Sequence, residues 1–92
     1  MIRRRGENIA AAEIENALLA HPSVREAAAI GVPSALGEDD IVAYVTLRAP
    51  VDVESLRAFV RERIADYKVP SAIHIRDSLP KTATQRIAKS LL

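Results

Sequence analysis

The sequence predicts an α+β fold: a small mixed sheet of about three strands plus an N-terminal β-turn, with helices packed against it. Three observations lead there. Residues 10–20 and 53–67 carry apolar side chains at helical spacing. Residues 24–32, 41–48 and 72–76 read as strands, and the middle one alternates well. Proline, glycine and acidic clusters mark the boundaries between these segments. Such a mixture suits a layer of helices on one face of a short sheet. At 92 residues the chain is one domain, 1–92, with no room for a second core.

In order along the chain, Arg3 to Ile9 around Gly6 forms the polar turn. The first helix sets Ile14, Ala17, Leu18 and His21 on one face. Glu13 and Glu15 are expected in its first turn, where the helix dipole favours acids. His21-Pro22 ends it, because the residue before proline avoids the α region. In the second strand Ile41, Ala43, Val45 and Leu47 share a face. The stretch from Gly31 to Asp40 reads as a loop too long for a tight hairpin. Asp52 is the expected N-cap of the 53–67 helix. Val53, Leu56, Phe59, Val60, Ile64 and Tyr67 form its apolar stripe, and Arg57, Arg61 and Glu62 take the solvated side. Pro70 stops that helix. Thr84 is then expected to cap a last helix, on which Ile87 and Leu91 form an i, i+4 pair.

Composition narrows the function. Apolar residues make up 49% of the chain, so a folded domain is expected rather than a disordered one. The formal net charge is +1, which argues against a general polyanion binder. The aromatic residues are Tyr44, Phe59 and Tyr67, too few for base stacking and thin material for a large pocket. Cysteine is absent, so there is neither a disulfide framework nor thiol chemistry, which fits a reducing cytoplasm. No apolar run approaches the ~20 residues of a membrane span, and no signal-peptide pattern follows Arg3–Arg5.

Arg3-Arg4-Arg5 suits a phosphate patch, but a solvated strand end is the favoured reading. His21 and His74 are the histidines, without paired spacing, and no metal site is expected. Glu38-Asp39-Asp40 reads as a solvated loop, since three adjacent acids point in different directions. The tail is richer. Lys81, Arg86 and Lys89 place three cations beside the hydroxyls of Thr82 and Thr84. In the first turn of a helix, Arg86 would join free N–H groups that also attract anions.

Six blocks together resemble the C-terminal lid domain of the adenylate-forming superfamily, which includes acyl-CoA synthetases, peptide-synthetase adenylation domains and luciferases. They are Ile2 to Ile9 followed by Ala12-Glu13-Ile14-Glu15, His21-Pro22-Ser23-Val24, Ala29 to Pro33, Gly37-Glu38, Tyr67-Lys68-Val69-Pro70, and Leu79 to Thr84. They span essentially the whole chain at the family's usual spacing. The resemblance implies a mobile lid beginning just after the hinge, with the large N-terminal domain, its partner, absent. The intact enzyme would be an acid–thiol ligase using ATP with magnesium, a carboxylic acid and CoA, and the acyl-CoA synthetases carry an association with fatty acid metabolism. The acyl pocket would lie in the absent domain, so the acyl substrate cannot be read here. No cofactor is expected on the chain by itself, which should be inactive alone.

The resemblance also assigns roles. Gly6, Glu7 and Asn8 match the motif of the thioester step. Arg86 stands where the family usually carries its catalytic lysine for adenylation, and Gln85 where it usually has glycine. Arginine keeps the charge but replaces a compact ammonium with a planar fork. Lys81, Thr82, Thr84 and Lys89 are possible phosphate contacts, and Lys68 matches with a structural role. Ala10 lies where many relatives have Ser or Tyr, at the loss of a capping box with Glu13 worth ~1 kcal/mol. Two other readings compete with the ligase lid: a stand-alone interaction module with the same fold, and a small nucleic-acid-binding domain using Arg3–Arg5 and the tail.

Overall fold

The computed structural model describes residues 2–4, 7–35, 37–84 and 86–92, the side chains of Arg4 and Glu7 excepted. Arg5, Gly6, Gln85 and the side chains of Arg4 and Glu7, all singled out above, lie outside the described residues. Strands β1 (Ile2–Arg4) and β2 (Glu7–Ile9) pair antiparallel, with Ile2 opposite Ile9 and Arg3 opposite Asn8. Period two sorts their faces: Ile2 and Ile9 are buried in the core, while Arg3 and Asn8 remain exposed.

Helix α1 (Ala11–Leu19) buries Ile14, Ala17 and Leu18 of the expected stripe, while His21, also expected on it, lies beyond the helix end and is only partly buried. Its N-cap, Ala10, offers no side-chain bond, and the first turn closes through the Glu13 N–H to the Ala10 carbonyl at 3.1 Å. Glu13 lies in the first turn but Glu15 does not, so the dipole argument fails for Glu15. After the helix, the His21 ring meets Phe59 edge-on at 4.8 Å, and its Nδ1 accepts the Ser23 N–H at 3.0 Å.

The main sheet has the order β3 (Val24–Pro33), β4 (Asp39–Leu47), β5 (Ala72–Ile75); the first pair is antiparallel and the second parallel. Ile41, Ala43 and Val45 face the core as expected, and Leu47 packs partly against it. The β3 register slips between Val24 and Glu26. That bulge resets the alternation, so Val24 and Ala27, three residues apart, both join the core. Glu26 then falls on the opposite face, across from Thr46.

Further expectations change. The β3–β4 connection is a hairpin after all, because both strands run further than their hydrophobic patterns do. Ser34 closes it, donating its N–H and its hydroxyl to the Glu38 carbonyl at 2.9 and 2.7 Å. Helix α2 (Val53–Arg61) ends earlier than 67; Ile64 and Tyr67 reach the core from a turn and a 3-10 turn at Asp66–Lys68. Arg57 is not merely solvated. It donates to the Pro70 and Ser71 carbonyls at 3.4 and 3.2 Å and pairs with Glu54 at 2.6 Å, clamping the entry to β5. Asp52 occupies the N-cap position without a side-chain cap bond, although the Ser55 hydroxyl beside it lowers its carboxyl below the ordinary range.

The last correction concerns the tail. Among the described residues no last α-helix forms, so Thr84 is no helix cap and Arg86 lies in no helical turn. Lys81 instead bridges Ile87 antiparallel, and a single 3-10 turn follows at Lys89–Leu91. The Thr82 N–H donates to the Arg86 carbonyl and the Ala88 N–H to the Pro80 carbonyl, both at 2.7 Å. The Thr82 hydroxyl accepts the Arg86 N–H at 3.2 Å, an alternative to helical pairing that threonine offers readily. The expected i, i+4 pair would have had nothing to bury, since Leu91 is 71% exposed.

Candidate functional site at the two chain ends

Two short hairpins carry the residues that the sequence singles out. The first, β1–β2, places Arg3 and Asn8 side by side on its outward face. It is fixed to the main sheet by its isoleucines and by a polar tie: the Arg3 N–H donates to Asp39 Oδ2 at 3.1 Å. Asn8 is therefore exposed on a rigidly seated strand.

The second is the tail hairpin. It sorts its cations in a way the sequence did not anticipate. Lys81 Nζ lies 2.5 Å from Glu26 Oε2, and Lys89 Nζ lies 2.6 Å from Glu15 Oε2. Each carboxylate has a further partner. Glu26 Oε1 accepts the Thr46 hydroxyl at 3.1 Å, and Glu15 Oε2 accepts the backbone N–H of Ala29 at 2.9 Å. The Lys81 ammonium, first among the causes, holds the Glu26 carboxyl below the usual glutamate range; partial burial works against it and the Thr46 hydroxyl with it. Arg86 is exposed and makes no ion pair among the described residues. The Thr82 and Thr84 hydroxyls lie 3.0 Å apart and share a hydrogen bond, so both serve the turn.

Sequence reasoning missed Glu26 and Glu15 as partners of the tail. Their signal was weak, because each lies more than 50 positions from its lysine and acids on a solvated face are common. Lys68, expected to be structural, pairs with both Glu13 oxygens at 3.1 Å and ties the 3-10 turn to α1. Also unforeseen is a shallow depression of about 480 Å³ at the sheet end, where Arg25, Arg48 and Arg76 meet. Arg25 donates to the Asp77 carbonyl at 3.4 Å, and the Arg76 guanidinium lies 5.0 Å from the centre of the Tyr44 ring. Among the described residues no group of three or more His, Asp or Glu side chains is arranged to hold a metal, and no helix is long and apolar enough to cross a membrane.

Fold and site together define a small α+β domain with a polar hairpin near its N-terminus and a second, cation-bearing hairpin near its C-terminus. The family model of the AMP-binding enzyme C-terminal domain matches residues 13–86, and the chain belongs to that family. It is 44% identical over 87 residues to a 2-succinylbenzoate–CoA ligase of Bacillus licheniformis, covering 95% of this chain and 18% of that protein. It is 40% identical over 92 residues to an acetyl-coenzyme A synthetase of Salmonella typhi, covering 95% of this chain and 14% of that one. Among solved structures, a doubly substituted o-succinylbenzoate CoA synthetase from Bacillus subtilis, bound with its product analogue, superposes with a TM-score of 0.91 at 36% identity, over 100% of this chain and 19% of that one. An amide bond synthetase from Marinactinospora thermotolerans gives a TM-score of 0.91 at 33% identity, over 98% of this chain and 19% of that one. The chain thus spans less than a fifth of the length of these relatives.

Proposed function

We propose that this domain is the mobile lid of an ATP-dependent acid–thiol ligase, that it is inactive alone, and that Arg86 is the cation it brings to adenylation. In the first half-reaction a carboxylate oxygen attacks the α-phosphorus of ATP, held with magnesium by the other domain, and pyrophosphate leaves. In the second, the CoA thiol attacks the acyl carbonyl of acyl-AMP, and AMP leaves. A rotation of the lid between the steps exchanges which hairpin faces the reacting atoms. The Gly6–Asn8 motif serves the thioester step. The intact enzyme is a ligase of the cytoplasm.

One observation carries the reading: of the three tail cations, Lys81 and Lys89 are neutralised by Glu26 and Glu15, while the exposed Arg86 is left to meet an external anion. A guanidinium can donate two parallel hydrogen bonds to phosphate or carboxylate oxygens, and an aimed donor is most valuable where charge develops. Lys81, Thr82, Thr84 and Lys89 then shape the turn, and Arg86 contacts the phosphate. The same distribution favours the ligase lid over a nucleic-acid binder, because two of the tail cations are already paired.

The test is pre-steady-state acyl-AMP formation in the intact ligase. Arg86→Ala should lower that rate by ~10²–10³, the usual loss of one aimed donor. Thioester formation from preformed acyl-AMP should be almost unchanged. Arg86→Lys, which restores the family's usual residue, should keep much of the activity. An Arg86→Ala variant that adenylates at the wild-type rate would remove Arg86 from the first step.

A further inference from the structure

We propose that Glu26 and Glu15 are positioning residues: they clamp the tail hairpin at Lys81 and Lys89 and so fix where Arg86 points. The inference rests on the reading of Arg86 as the adenylation cation. It deepens that reading by assigning the two lysines to the scaffold and by naming acidic partners on distant elements.

The geometry has three parts. First, the anchors bracket the residue they aim. Lys81 precedes Arg86 at the base of the hairpin and Lys89 follows it, so the turn is held on both sides. Second, each carboxylate is itself immobilised. Glu26 sits behind the β3 bulge and accepts the hydroxyl of Thr46, a residue with no exposed surface. Glu15 accepts the Ala29 N–H of strand β3, so it joins helix, sheet edge and tail at one oxygen. Third, these groups are partly shielded: the side chains of Glu26 and Glu15 are 25% and 18% exposed. Fully exposed pairs contribute little, but paired carboxylates with a second hydrogen bond and reduced solvent contact resist rearrangement better. A small misplacement of an aimed group is enough to lower a rate, so the anchors act on catalysis without touching substrate.

The rival assignment is that Lys81 contacts phosphate directly. The two make opposite predictions for Glu26. If Lys81 is a phosphate ligand, removing Glu26 frees it and adenylation holds or rises. If Lys81 is an anchor, losing either partner has the same cost.

The experiment has two readouts. In the 92-residue chain, amide hydrogen exchange at Thr82 and Ala88 reports hairpin closure. Glu26→Gln and Lys81→Gln should each accelerate it roughly three- to tenfold, with the β4 amides of Ala43 and Val45 unchanged. In the intact ligase the same variants should slow acyl-AMP formation about tenfold, and the double variant should be no slower than either single one. Thioester formation from preformed acyl-AMP should stay at the wild-type rate, which a general loss of folding would not permit. Glu15→Gln should behave like Glu26→Gln in both assays.

Unchanged exchange at Thr82 and Ala88 would overturn the anchor. So would a Glu26→Gln enzyme that adenylates at or above the wild-type rate while Lys81→Gln is slow, since Lys81 would then be the phosphate contact. Arg86→Ala in the same series separates the two levels. If Arg86→Ala is slow and Glu26→Gln is normal, the positioning role falls alone. If Arg86→Ala is normal, the adenylation reading falls and takes the positioning role with it.

Discussion

Gly31 and Asp39 show how a single missing side chain can seat a whole hairpin. A Cβ on Gly31 would lie 2.9 Å from Asp39 Oδ2 and 3.2 Å from both Cβ and Cγ of Asp39, so the aspartate could not keep its place. That same Oδ2 receives the Arg3 N–H at 3.1 Å and ties β1 to the sheet. Gly31→Ala should therefore destabilise the domain by about 1–3 kcal/mol, the usual range for overpacking. It should also expose the Arg3 amide to exchange. Denaturant unfolding and amide exchange check the two parts, and wild-type values in both would show that Asp39 can move at no cost. Gly37 is special for a different reason. Nothing lies within 4 Å of its missing Cβ, but its φ of 82° is one that other residues adopt only with strain. Of these two demands the sequence shows only that glycine is present, not whether space or handedness requires it.

At the scale of elements, the legible parts were those with a repeating apolar pattern. The stripes of α1 and α2 and the alternation of β4 follow from Ile14, Leu18, Leu56, Val60, Ile41, Ala43 and Val45, all of which are buried. Ala27, Ala28 and Ala29 carry no such message, since alanine suits either face and all three are buried. The tail misled because Thr84 and the Ile87–Leu91 spacing satisfy local helix rules, while its actual conformation depends on Lys81 and Lys89 meeting acids far away in the sequence. The candidate site divided in the same way. The family resemblance singled out Asn8 and Arg86 near opposite ends of the chain, but nothing local separated the exposed cation from the paired ones. Leu79 is the apolar counterpart of those ion pairs. It belongs to no strand or helix, yet it is 3% exposed, on the segment that leaves β5 for the hairpin. Ala28 and Thr46 are fully buried although their neighbours Ala27, Ala29 and Val45 alternate onto the helix-covered face. Some segment must cover them from the other side, and the tail is tied there through Glu26 and Thr46. Leu79→Ala should then cost about 2–5 kcal/mol, as for other buried leucines. The loss should be read by thermal and denaturant unfolding; a cost under ~0.5 kcal/mol, typical of surface sites, would mean that Leu79 does not help to close this face.

At the scale of the molecule, ion pairs join parts of the chain that no backbone pairing connects. Glu13 holds Lys68, Glu15 holds Lys89 and Glu26 holds Lys81. Their effect on stability has a definite sign with pH. The Lys81 ammonium, helped by the Thr46 hydroxyl and opposed by partial burial, keeps the folded-state pKa of Glu26 below its unfolded value. The stability this contributes is fully present above the unfolded pKa and is lost as pH falls through the folded one. The window therefore opens near the ordinary glutamate value of ~4.3 and extends to lower pH. Unfolding free energy should decline as the solution is taken from about pH 6 to about pH 3, and Glu26→Gln should flatten part of that decline. At neutral pH the same variant should be less stable by at most ~1 kcal/mol, as suits a partly exposed pair. Protonation acts on the tail anchor and leaves the apolar core of Ile14, Leu18, Ile41 and Val45 untouched. The Thr82 and Ala88 amides should accordingly lose exchange protection at a higher pH than the β4 amides do, once intrinsic exchange rates are divided out. An acid slope identical in wild type and Glu26→Gln would show that the carboxylates controlling acid stability lie elsewhere.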